Sequence, residues 1–132
     1  MTIAEYDDGS APLLDSSVLD RLREELDDDE GVWKVFIQDF VAQLPSRTEK
    51  LRLALTTGDS VGAMVAVLSL KTSSQMVGAE RLADLVLELE NLLRVECSGR
   101  DPAVVLPRLA AGRLVQIKEC AQQTRYFLQR HL

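Results

Sequence analysis

The chain has 132 residues, 46% hydrophobic and 27% charged, long enough for one packed core and too short for two. Its formal net charge of −6 argues against sequence-independent nucleic-acid binding, which needs a surplus of Lys and Arg to neutralise phosphates. No apolar run approaches the roughly 18 residues that span a bilayer, and no basic segment followed by an apolar one opens the chain, so the expectation is a cytoplasmic protein without a membrane partner.

Residues 1–12, with Asp7-Asp8-Gly9-Ser10 and a closing Pro12, lack an apolar period and read as a flexible tail ahead of a single domain at 13–132. A short helix follows, capped by Asp15 or Ser16 and running to Leu26, with Val18, Leu19, Leu22 and Leu26 on one side. The acidic run Asp27-Asp28-Asp29-Glu30 lacks the ligand spacing of a calcium loop. It suits instead the positive end of the next helix. In that helix Trp33, Phe36, Ile37, Phe40, Val41 and Leu44 recur at three- and four-residue spacing, one broad apolar stripe. Pro45 is expected to end it or to open a new helix over 46–57, where Leu51, Ala54 and Leu55 face one way. Thr57-Gly58-Asp59 supplies a stop and a cap for a helix from Asp59 to Val77, which Gly78 terminates.

Residues 79–97 form the next helix, with Leu82, Leu85, Val86, Leu89, Leu92 and Leu93 in register, and Ser98 to Pro102 reads as a loop. The last element carries Leu114, Ile117, Ala121 and Leu128 to the end, and Pro107 makes its start ambiguous. Cys97 and Cys120 have no CxxC partner and no nearby His. They read as small, partly buried side chains with no metal or cofactor implied. Nothing reads as a strand or a repeat. Amphipathic helices with short connections make this an all-α chain, most simply an antiparallel bundle.

The run Val67-Leu68-Ser69-Leu70-Lys71-Thr72-Ser73-Ser74, with Gly78 downstream, resembles the signature helix of the histidine-containing phosphotransfer (HPt) family, whose pattern is His-x-Leu-Lys-Gly-Ser-Ser. Phe36 to Phe40 and Leu44-Pro45 also resemble the helix that precedes that signature, and the resemblance covers roughly Leu14 to Arg94. It implies a four-helix bundle of HPt type with an additional N-terminal helix and a C-terminal helix packed as an extra element. It also places Leu68 where the family holds its phosphorylated His. A leucine has no nitrogen to accept a phosphoryl group. In the family an exposed imidazole there reaches the acidic pocket of a receiver domain, so the resemblance implies the same surface with an apolar knob in its place.

The helical wheel agrees that Leu68 faces outward. Ala63, Val67, Leu70, Ser74 and Val77 share the core seam, and Leu68 lies about 140° from Ala63. Met64, Lys71, Thr72 and Gln75 accompany Leu68 on the partner-facing side, with Val61 and Val65 adding apolar area and Leu87 and Ala83 on the exposed flank of the following helix. Lys71 matches the family's Lys, and Thr72 replaces its small Gly and narrows the approach. Glu90 falls where the family often places a polar side chain near the imidazole, and Arg94 follows four residues later. The plain reading of Glu90 and Arg94 is a surface ion pair; the alternative is a share in the partner surface.

His131, second from the end, lacks the motif's surroundings. Ser69 lacks an activating base, and Ser73 and Ser74 read as helix-packing residues. No nucleophile–base pair or glycine-rich phosphate loop occurs, so no enzymatic activity is expected. The leading expectation is a degenerate HPt module that binds a response-regulator receiver domain or a histidine kinase without relaying phosphate. The alternatives are a homodimer or another interaction through the Leu68 patch and, behind it, phosphotransfer through a different residue.

Overall fold

The computed structural model describes residues 11–26 and 30–130. Residues 1–10 of the expected tail, Asp27–Asp29 of the acidic run and His131 lie outside the described residues. Among the described residues five helices follow one another: α1 Ser16–Glu25, α2 Glu30–Thr56, α3 Ser60–Met76, α4 Glu80–Glu96 and α5 Pro102–Gln129. The connections between α2 and α5 are three to five residues long, which makes sequential helices antiparallel neighbours. The four long helices close a ring, α2 against α3, α3 against α4, α4 against α5, and α5 back on α2. The α-helical bundle expected from periodicity is therefore present, with α1 as the additional N-terminal helix. The C-terminal helix, expected as an extra element, is the fourth member of the ring.

That difference has its origin at Pro45. The proline sits inside α2 and does not divide it, so residues 30–56 form one helix where two were expected. A proline cannot donate to the carbonyl four residues back, which leaves Val41 O without its helical partner. The Arg125 side chain of α5 fills that place, its Nε donating to Val41 O at 3.2 Å. The ring of Pro45 itself faces solvent, and the apolar face passes unbroken through Trp33, Ile37, Phe40, Val41, Leu44, Leu51, Ala54 and Leu55. Pro107 is likewise internal, and α5 starts five residues earlier with Pro102 in its first turn. Asp101 caps that turn, accepting from Ala103 N at 3.0 Å.

Asp15 and Asp59 cap α1 and α3, accepting from Ser17 N and Gly62 N, each at 2.9 Å. Gly78 ends α3 with φ +75°, and a Cβ there would stand 2.7 Å from Asp15 O. The glycine thus serves both the left-handed turn and the close approach of the segment before α1, whose Asp15 N donates to Gly78 O at 2.7 Å. Just before it, Ala11 O accepts from Arg81 Nε at 2.9 Å. α1 lies over one end of the bundle with Leu19 in the core, and Arg23 stacks 4.3 Å from the centre of the buried Trp33 ring. Ile37, Leu44, Leu51, Leu55, Leu70, Leu82, Leu89, Leu106, Ile117 and Leu128 fill the interior. Among the described residues no helix is long and apolar enough to cross a membrane.

Candidate functional site

α3 places its side chains as the wheel requires. Ala63, Val67, Leu70 and Ser74 are buried, and Leu68 projects at 38% exposure. Thr72 and Gln75 share its exposed side, and Met64 is half-buried against the core. Val61, Val65 and Met76 are also exposed, so α3 carries apolar side chains on both its inner and its outer faces. Such a helix is the kind that is usually covered on both sides. Leu87 of α4 is exposed nearby, but Ala83 is buried in the helix packing and adds nothing to the flank assigned to it.

Glu90 departs furthest from expectation. It was read as half of a surface ion pair, or as a contact residue, yet it is 5% exposed. α4 turns it toward α3, where its two oxygens are divided between two cations. Lys71 Nζ donates to Oε1 and Arg94 Nη2 to Oε2, each at 2.7 Å. The hydrogen bonds from Lys71 and then Arg94 hold the Glu90 carboxyl below its ordinary range, against the opposing effect of desolvation. Lys71 keeps 22% of its side-chain exposure and Arg94 59%, so the cations, and not the carboxylate, meet solvent. Two cations and one carboxylate leave this ridge with one net positive charge beside an apolar knob.

Sequence reasoning missed Arg47. Its Nη1 donates to Ser69 Oγ at 2.8 Å and Ser73 Oγ at 3.2 Å, and its Nη2 donates to Gln43 Oε1 at 2.7 Å. The four-residue step from Gln43 to Arg47 was visible in the sequence, whereas Ser69, 22 positions along, is paired only by packing. Ser69 is thus held by a cation and has no base beside it. Ser73 donates to Ser69 O at 2.7 Å, and the buried Ser74 hydroxyl has no partner. Cys120 is buried and Cys97 half-buried. Burial raises the Cys120 thiol above its usual range, which keeps it protonated.

The arrangement is a helical bundle with a projecting side chain in mid-helix, a lysine one turn on, and a carboxylate on the next helix that holds the lysine. The model of the Hpt domain family matches residues 35–126, including the last helix. The solved structure of histidine-containing phosphotransfer protein B from Pseudomonas aeruginosa PAO1 is similar, with a TM-score of 0.72 and 29% identity, over 92% of this chain and 96% of that one. No curated protein sequence matches the chain. The chain belongs to the Hpt domain family, as the sequence resemblance implied. Hpt domains are carriers within phosphorelay signalling, where they meet receiver domains and histidine kinases, and do not turn over a substrate.

Proposed function

We propose that this chain is a degenerate Hpt module that docks on a receiver domain or a histidine kinase and carries no phosphate. The observation that supports this most is Leu68 itself, an outward side chain with no nucleophilic atom, where the sequence pattern sets the family's acceptor. Lys71, one turn on, and Arg94, joined to it through Glu90, remain solvent-accessible, so the face suits a partner with an acidic rim around an apolar or recessed centre. Met64, Thr72 and Gln75 complete the docking ridge. Glu90 acts from beneath as a positioning residue that orients the two cations. Docking would cover the exposed two-fifths of Leu68, worth about 1 kcal/mol of apolar burial. That is roughly a fivefold contribution to affinity.

Incubation with a phosphorylated receiver, followed by an acid-lability assay, should detect no phosphoramidate on this chain. A stoichiometric acid-labile signal would overturn the reading. Titration calorimetry against receiver and kinase domains tests the docking. Leu68→Ala should weaken binding about fivefold, and Leu68→Asp more than tenfold, because a carboxylate is then desolvated against an acidic rim. Self-association through the same ridge is the second reading, favoured by Val61, Val65 and Met76 exposed on the same helix. Lys71 and Arg94 from two copies would repel across such an interface.

A further inference from the structure

A second surface feature lies on the opposite flank of α3 from Leu87. α2 and α3 diverge into an open groove of about 710 Å³, bounded on one side by Gln43, Arg47, Lys50 and Leu53 and on the other by Asp59, Val65 and Ser69. Its floor is made shallow by small residues, Ala54, Gly62 and Ala66. A Cβ at Gly62 would force the Asp59 carboxylate that caps α3 to move. Leu53 and Val65 stand exposed on the two lips.

The electrostatics of this groove are incomplete. Arg47 is half-buried, and every acceptor it has is a neutral oxygen: Ser69, Ser73 and Gln43. Its Nε is closed off from water with no acceptor at all. No carboxylate among the described residues forms an ion pair with Arg47 or Lys50, in a chain whose net charge is −6. A hydrogen bond from a guanidinium to a carboxylate is roughly twice as strong as one to a neutral oxygen. At Nη2 the acceptor is the neutral Gln43 amide oxygen, so a carboxylate placed there would be the stronger acceptor.

We infer that the α2–α3 groove is a docking site for an acidic amphipathic helix of a partner protein. The groove runs from Gln43 to Thr57, about 21 Å along α2 at the helical rise, or roughly four turns of a bound helix. The partner's apolar face covers Leu53, Ala54, Val65 and Ala66. Its acidic residues lie at the other end, where one carboxylate displaces Gln43 Oε1 and takes the Nη2 donor of Arg47, while the exposed Lys50 meets a second. This follows the helix-in-groove mode of recognition, with the charge pair setting the direction of the bound helix. The inference does not depend on Leu68 standing at the family's acceptor position.

The probe is a hydrocarbon-stapled peptide of about 14 residues, the length of the groove. It carries leucines three and four apart on one face and two glutamates in one terminal turn, and the control carries lysines in their place. Titrated into the 15N-labelled full chain, the acidic peptide should produce saturable shifts at the amides of Leu53, Val65 and Ser69 and at the Arg47 Nε–H. The control should bind at least about tenfold more weakly, the loss expected for a charged hydrogen bond. Arg47→Met should lose a similar factor. Ser69→Asp supplies the missing carboxylate from within, so it should weaken the peptide comparably while raising Tm, and it serves where Arg47→Met fails to fold. Equal affinity for the two peptides, or shifts confined to the Leu68 and Arg94 ridge, would overturn the inference. So would the same shift pattern with inorganic phosphate alone, or a dimer by light scattering whose formation shifts the amides of Leu53, Val65 and Ser69.

Discussion

Replacing Glu90 with Gln tests how the presented face is held together. The amide keeps the size of the side chain and can still accept from Lys71, but its NH2 then faces the Arg94 guanidinium, donor against donor. The Lys71 bond is the more valuable of the two, since it is more shielded from water, and a charged hydrogen bond of that kind contributes on the order of 1.5–3 kcal/mol. The Arg94 bond is largely solvent-screened and is worth about 0.3–0.5 kcal/mol. Allowing for the acceptor that Gln retains, Glu90→Gln should cost about 2 kcal/mol at pH 7. For a chain of this length that is a fall in Tm of roughly 4–10 °C. The pH dependence follows from the lowered carboxyl pKa. The unfolded chain binds the proton more readily than the folded one, so Glu90 stabilises the fold above its unfolded pKa. That contribution disappears as pH falls through the folded value. Urea unfolding of both proteins at pH 7 and in strong acid should show the 2 kcal/mol gap closing on acidification. Lys71→Met should remove most of the gap in a double-mutant cycle. A gap that persists in acid, or additive effects of the two substitutions, would refute the buried-carboxylate account.

Other substitutions probe the frame that carries this face. Arg125→Met should cost about 1–2 kcal/mol by leaving Val41 O unpaired; in a Pro45→Ala background the new N–H serves that carbonyl, and the same change should be close to neutral in urea unfolding. Gly78→Ala forces a side chain into left-handed backbone and against Asp15 O, so hydrogen exchange should show α1 released and stability reduced by about 2 kcal/mol or more. Ser74→Ala removes a buried hydroxyl without a partner and should be neutral or stabilising by up to about 1 kcal/mol in thermal unfolding.

Leu68 shows how far local pattern reaches. Its neighbours Ala63, Val67, Leu70 and Ser74 repeat with the helical period, so the outward direction of position 68 follows from the covalent chain alone. Glu90 shows where that reach stops. From the sequence its visible partner is Arg94, one turn along the same helix. Lys71, 19 positions away, enters only when α3 and α4 pack, and that packing turns a surface pair into a buried carboxylate shared by two cations. Arg47 escaped notice for the same reason, since its serine partners lie on another helix.

Helical periodicity, the caps at Asp15 and Asp59, the stops at Gly58 and Gly78 and the family signature were all properties of neighbouring residues, readable because a helix couples positions three and four apart. The continuity of α2 through Pro45, the place of the last helix in the ring and the burial of Glu90 belong to the assembled bundle. Each depends on a donor or a surface supplied from 19 or more positions away: Arg125 for Val41, Lys71 for Glu90, and α2 for α5. A broken helical hydrogen bond is affordable only when a distant side chain replaces it, and no local pattern records that replacement.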